Sequence, residues 1–189
     1  MKTLLAAVVY AFYFIRLFLF VKNKENLKVK KLNNLWHRLF FLTIDVIGFS
    51  FLNFQLAGFV RYDLPLWSSW LNWAGATLFM AGLFFSAWSR FHLGANWDTA
   101  GTGGIKNNHQ LITTGPFRIS RNPIYLGTFS LFLGFEMALG SFFIFLAIPL
   151  FLLIIWEAKR EEKLLENFFG EEFRRYKKHS PFLFPWFTA

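Results

Sequence analysis

Residues 122–157 read NPIYLGTFSLFLGFEMALGSFFIFLAIPLFLLIIWE, and the fold follows from this stretch. The apolar run from Ile124 to Glu157 is longer than the roughly 20 residues that one membrane-crossing helix needs. It is interrupted once, at Gly140-Ser141. Two helices, Ile124–Leu139 and Ser141–Glu157, joined by a tight turn, account for both the length and the interruption. Helices this short either tilt or are only partly exposed to lipid.

Three further apolar runs precede the hairpin: Thr3–Val21, Leu39–Val60 and Trp67–Arg90. The first is read as a retained span rather than a cleaved leader, because a Lys-rich segment follows it instead of small residues. The expected fold is therefore an all-α, polytopic membrane protein of about five transmembrane helices. It forms a single membrane domain over 1–189, with three N-terminal spans in 1–90. A loop, the hairpin and a C-terminal amphipathic helix occupy 91–189. The composition agrees. Of the 189 residues 55% are hydrophobic and 28 are Phe, more apolar surface than a soluble domain of this size can bury.

Charge sets the orientation. With five spans, 17 of the 20 Lys and Arg residues fall on one side, which the positive-inside rule assigns to the cytoplasm. The C-terminus is then cytoplasmic. A net charge of +9 embedded in so apolar a chain points to membrane lipids as partners and not to nucleic acid. The absence of cysteine excludes disulfides and thiolate metal sites, and no metal is expected. Trp67, Trp70, Trp73 and Trp156 read as interfacial belt residues. Arg16 reads as a snorkelling side chain, and His37 and His92 as interface residues. A bacterial cytoplasmic membrane is the expected location.

Polar residues inside spans are candidates for function. Asp45 is open between a helix–helix hydrogen bond and a site role. Glu136 lies close enough to the Gly140 turn to reach water. Between spans three and four, Phe91–Asn122 is rich in Gly and Asn and reads as an ordered cytoplasmic loop. After the hairpin, Ala158–Lys178 carries Leu164, Leu165, Phe168, Phe169, Phe173 and Tyr176 at helical spacing, with Gly170 as a break.

Two clusters meet at the cytoplasmic mouth of the hairpin. In Arg121-Asn122-Pro123-Ile124-Tyr125, the proline opens a helix whose first amides can receive polar ligand atoms. Helical spacing puts Arg121 and Tyr125 on one face. The other cluster is Glu157, Arg160, Glu161 and Glu162, where a carboxylate can hold an ammonium group. Read locally, a proline helix start and a solvated charged helix end would give the same residues.

The ordered set of motifs adds to this. Arg121-Asn122-Pro123-Ile124-Tyr125-Leu126-Gly127, then a hydrophobic hairpin, then Glu161-Glu162, resembles the Arg-His-Pro-x-Tyr…Glu-Glu pattern of the isoprenylcysteine carboxyl methyltransferase and phospholipid methyltransferase family. Leu93-Gly94-Ala95-Asn96-Trp97, His109-Gln110-Leu111-Ile112 and Phe169-Gly170-Glu171-Glu172-Phe173 through Tyr176 are similar to further family segments, in the same order. The resemblance covers about residues 90–185. It implies methyl transfer from S-adenosyl-L-methionine to a lipophilic small-molecule or lipid acceptor at the cytoplasmic membrane face. It implies a cofactor site of His109, Gln110, Leu111, Ile112, Phe117, Asn122, Pro123, Ile124, Tyr125 and Glu161. Arg121, Asn122, Glu157 and Arg160 are then the candidate catalytic residues. Two departures stand out. The family's His is Asn122, which hydrogen-bonds but carries no proton at neutral pH. An Arg tied to the substrate carboxylate falls at Glu157, which suits a cationic or amine acceptor. A nicotinamide-dependent membrane reductase of the sterol reductase type and a non-catalytic protein keeping the fold are the competing readings.

Overall fold

The computed structural model describes residues 6–7, 9–10, 35–58, 64, 67–96 and 110–184. The regular secondary structure among them is helical, with no strand. The first span, Thr3–Val21, lies almost entirely outside them. The chain divides into two compact units, one of residues 1–61 with 99–103 and the other of residues 62–98 with 104–189.

In the first unit, helix α1 spans Leu35–Ala57. Asn53 sits on its surface, donates back to the Phe49 carbonyl at 2.7 Å and accepts from the Tyr10 hydroxyl.

The second unit is built around α2 (Ser69–Leu93) and α4 (Pro123–Leu139), between which α3 is one turn, Pro116–Ile119. Small residues explain why α2 and α4 pack so tightly. Gly75, Gly82 and Ser86 of α2 face Ala138, Leu131 and Gly127 of α4, so the two helices run antiparallel. Stripes of small residues let backbones approach, which is the dispersion-driven packing available to helices in lipid. A Cβ on Gly134 would lie 2.3 Å from the Phe79 backbone nitrogen, so the contact leaves no room for a side chain. The outward face of α2 is aromatic: Trp70, Trp73, Phe84, Trp88 and Phe91 are all exposed.

At the far end of α4, Gly140 adopts the left-handed conformation (φ 63°, ψ 34°) and closes the helix. The Ser141 hydroxyl then accepts from the Phe143 amide at 3.1 Å, starting a short 3₁₀ stretch, Phe142–Leu146, that runs into α5 (Ala147–Phe169). Pro149 falls in the first turn of α5, where a missing amide hydrogen costs nothing. The hairpin inferred from residues 124–157 is thus present. Phe142–Phe169 is, among the described residues, long and apolar enough to cross a membrane. Shorter apolar helices cover Val46–Ala57 and Pro123–Leu139.

Two sequence-based expectations need correction. Glu136 does not reach water. It is fully buried, because one turn before Gly140 the α4 face carrying it is enclosed by the unit's own packing. The charged C-terminal region does not begin a helix of its own at Ala158: its first part continues α5 to Phe169, and the break falls at Gly170 as the sequence indicates. Gly170, at φ 54°, divides α5 from α6 (Glu171–His179), as its left-handed backbone cannot continue the α5 spiral. Acidic residues in the first turn of α6 and basic ones in its last turn match the helix dipole.

Candidate active site

The start of α4 is buried from both sides. Pro123 occupies its first turn, and the preceding Ser120, Arg121 and Asn122 are all buried. Arg121 therefore lies before the helix, and the four-residue spacing to Tyr125 does not put the two side chains on one face. Its guanidinium turns to α5 instead. Nε donates to Glu162 Oε1 at 2.8 Å, and Nη1 donates to the carbonyls of Lys177 (3.0 Å) and Ser180 (2.5 Å). Asn122 joins the same network, its Nδ2 donating to Glu162 Oε1 and to the Phe182 carbonyl, both at 3.0 Å. The Arg121 amide donates to the Pro181 carbonyl at 2.9 Å.

Glu162 is thus the hub of a latch that ties the chain after α6 to the start of α4. The Asn122 amide also explains how the position is filled without a histidine. It spans a carboxylate and a carbonyl with two donor hydrogens, and no proton needs to be exchanged.

Below the latch, Phe117 packs with Phe173 and Tyr176, flanked by Leu93, Leu111, Ile112, Leu165 and Phe169. The Tyr176 hydroxyl donates to the Phe117 carbonyl at 2.5 Å, and burial pushes its phenol above the ordinary tyrosine range. Phe117, Leu111 and Ile112 are therefore core residues that hold α6 against the loop. Gln110 is exposed, and its amide donates to Asn96 Oδ1 at 3.0 Å, anchoring the loop end to the turn after α2. His109 lies outside the described residues.

The remaining candidates gather on the other face of α5. The Tyr125 hydroxyl lies beside the Glu161 carboxylate, with Glu157 and Arg160 close enough to act on both electrostatically. Arg160 Nη1 pairs with Glu157 Oε1 at 3.2 Å, and its guanidinium stacks over Trp156 at 5.6 Å. Ile124, next to Tyr125, is half-buried, and Pro123 is buried. The sequence clusters accordingly resolve into two. Arg121 and Asn122 go with Glu162. Tyr125, Glu157 and Arg160 go with Glu161. In the sequence Glu162 belongs to the Glu157–Glu162 cluster and to the Glu161-Glu162 motif, with no role of its own. Its adjacency to Glu161 concealed that a one-residue step turns a helical side chain by about 100°.

A cleft of about 240 Å³ opens beside the latch, lined by Lys159, Glu162, Lys163, Glu166, Lys177 and Phe182. None of the residues inferred to bind cofactor lines it. Lys177 there pairs with Glu166 at 3.3 Å.

The chain is similar to known proteins in sequence and in fold. The sequence profile of the phospholipid methyltransferase family matches residues 70–172, more than half of the chain. The protein-S-isoprenylcysteine O-methyltransferase of Schizosaccharomyces pombe is 36% identical over 79 residues, covering 39% of this chain and 32% of that protein. The enzyme of the same name from Rattus norvegicus is 28% identical over 122 residues, covering 60% of this chain and 40% of that protein. The chain thus aligns with between a third and two-fifths of these relatives' length. Among solved structures, a eukaryotic intramembrane Ras methyltransferase, isoprenylcysteine carboxyl methyltransferase, superposes with a TM-score of 0.60 at 21% identity. That likeness covers 64% of this chain and 44% of the other, and it shows a shared fold. The matched profile begins in α2 and ends in α6, enclosing the helix pair, the hairpin and both glutamates, and the chain belongs to the phospholipid methyltransferase family.

Proposed function

We propose that the protein is an S-adenosylmethionine-dependent methyltransferase acting on a lipophilic acceptor at the cytoplasmic face of a membrane that it crosses several times. One observation carries the reading: Tyr125 from the start of α4 meets Glu161, beside Glu157, on α5 at the hairpin mouth. The residues present suit the cofactor's cationic end. Two carboxylates sit where an ammonium group would be held, and Tyr125 and Trp156 offer aromatic faces that favour a sulfonium. Phe117 is enclosed by Phe173 and Tyr176, so of Phe117 and Tyr125, the two aromatic residues in the inferred cofactor site, Tyr125 is the one at the mouth.

The bound cofactor supplies the methyl group and its leaving sulfur. The chain's contribution is alignment, because an in-line displacement depends on holding donor and acceptor at the right separation and angle. Glu161 orients the ammonium end, and the Tyr125 hydroxyl fixes the carboxylate of Glu161. Arg121 and Asn122 act at one remove, by locking the start of α4 and hence the position of Tyr125. Membrane lipid delivers the acceptor sideways, between helices. The inferred cytoplasmic membrane of a bacterium, with the C-terminus inside, is consistent with the charge asymmetry.

Calorimetric titration of detergent-purified protein with S-adenosylmethionine tests this directly. Glu161→Gln is expected to weaken binding about tenfold, a change of about 1.4 kcal/mol. Tyr125→Phe, which keeps the ring and removes only the donor, is expected to weaken it less. Binding of a reduced nicotinamide cofactor in place of S-adenosylmethionine would replace this reading with the reductase one.

The acceptor is proposed to be an amine or other cation rather than a carboxylate. Glu157 stands where the relatives' carboxylate-binding Arg is inferred to fall. Counted formally, Tyr125, Glu157, Arg160 and Glu161 carry two carboxylates against one guanidinium. In methylation assays on extracted lipids, Glu157→Arg is expected to lower transfer to amine acceptors at least tenfold relative to carboxylates. An unchanged acceptor preference would refute the assignment.

A further inference from the structure

The cleft beside the latch opens on the side of α5 away from the proposed chemistry. Successive helical residues are turned by about 100°, so Lys159, Glu162, Lys163 and Glu166 share one sector of α5, while Glu157 and Glu161 stand roughly 160° from Lys159. Lys177 of α6 and Phe182 complete the cleft. Both of its carboxylates are already engaged. Glu162 is held by Arg121 and Asn122, and Glu166 accepts from Arg174 and Lys177. Lys159 and Lys163 are exposed, and neither forms an ion pair among the described residues.

The cleft therefore carries two uncompensated ammonium groups, whose stems start about 6 Å apart along the helix. Long stems let both heads reach one tetrahedral anion, and lysine binds phosphate as a compact point charge. The same side of α5 is apolar on the way to these lysines. Ile148 and Leu152 are 66% and 62% exposed, and Ile155 is half-buried. By helical rotation all three fall within about 40° of Lys159. They belong to the stretch that is long and apolar enough to cross a membrane. An exposed apolar strip that ends in lysines offers a lipid one contact for an acyl chain and another for a headgroup.

We infer that this cleft binds an anionic phospholipid that is not the methyl acceptor. Its phosphate sits on Lys159 and Lys163, and an acyl chain lies along Leu152 and Ile148. The uncompensated charge selects an anion, and the apolar strip leading to it selects a lipid over a free phosphate. A headgroup without a cation of its own is preferred, because a choline would stand beside the two lysines. The inference rests on the membrane reading and requires no methyl transfer. Its consequence is a lipid held against the latch side of α5, across the helix from the Tyr125–Glu161 mouth.

Native mass spectrometry of the full chain in a non-ionic detergent, with added phosphatidylglycerol or phosphatidylcholine, counts the lipids retained. Calorimetric titration with inorganic phosphate at the same ionic strength tests the free anion. Wild type is expected to retain one phosphatidylglycerol and to hold it more tightly than phosphatidylcholine. Lys159→Gln/Lys163→Gln is expected to weaken retention at least tenfold, about fivefold for each charge removed. Lys178→Gln, an exposed lysine outside the cleft, should match wild type. Both lysines of the double variant are exposed, so its Tm in lipid-free detergent should also match wild type. Equal retention by the double variant would overturn the inference, as would equal retention of the two lipids. Inorganic phosphate bound as tightly as phosphatidylglycerol would overturn the lipid as the ligand. S-adenosylmethionine binding by the same samples is a separate readout, so failure of the proposed activity and failure of the lipid site are distinguishable.

Discussion

Glu162→Ala is expected to destabilise the protein by about 3–5 kcal/mol and to release the chain after α6. The size follows from what is left behind. Arg121 is only 7% exposed, and its charge is neutralised by Glu162 at 2.8 Å. Removing the carboxylate leaves a buried guanidinium with carbonyl acceptors alone and orphans one donor hydrogen of Asn122. An uncompensated buried charge costs far more than an exposed pair such as Arg174–Glu166, whose loss is expected to change stability by less than about 1 kcal/mol. Two measurements check this. Thermal unfolding in detergent should show a lower Tm for Glu162→Ala and little change for Glu166→Ala. Limited trypsin digestion should cut after Lys177 or Lys178 in the first variant, since the carbonyls of Lys177, Ser180 and Phe182 are held by the latch. An undisturbed C-terminus in Glu162→Ala would show that the latch does not hold it. Glu162→Gln, keeping an acceptor oxygen, should fall between.

Gly134→Ala is expected to destabilise by about 2 kcal/mol, against the intrinsic preference of the helix. Alanine is favoured over glycine in a helix interior by about 1 kcal/mol. The opposing effect is steric. The new Cβ would lie 2.3 Å from the Phe79 backbone nitrogen and 2.8 Å from the Gly75 carbonyl oxygen. Backbone cannot rotate away as a side chain can, so α2 and α4 must separate. Overpacking of this kind costs about 1–3 kcal/mol in cores and stands at the upper end where the obstacle is main chain. Gly48→Ala in α1 is the matched control, because nothing lies within 4 Å of its added Cβ. There propensity acts alone, and a Tm equal to or above wild type is expected. If both substitutions shift the Tm alike, the close packing of α2 on α4 is not what Gly134 provides.

The hairpin was legible because it depends on local quantities: apolar length, the Gly140-Ser141 break and Pro123 at a helix start. The ordered segments from Leu93 to Tyr176 were legible for the same reason, each being a short string with its own spacing. The α2–α4 pairing was less so. Gly75, Gly82, Gly127 and Gly134 stand in the sequence as isolated glycines, and no spacing rule says that their faces oppose one another. Leu164 and Phe168 sit in the same apolar pattern as Leu165 and Phe169, and periodicity alone did not separate the packed pair from the exposed one.

By itself, then, the amino-acid order determined a helical, basic-sided chain with an apolar hairpin and placed two polar clusters at its mouth. Only the tertiary structure decided how those clusters divide. Glu161 and Glu162 are chemically identical neighbours, and which of them takes Arg121 depends on where residues 177–183 lie. That segment is some 60 residues from Arg121 in sequence, yet it supplies three carbonyls to the side chains of Arg121 and Asn122. Once these donors are turned toward the C-terminal segment, helix geometry assigns Glu162 to the latch and leaves Glu161 for Tyr125. Local patterns record what each residue is able to bond, whereas burial of the chain around Arg121 settles which bond is made.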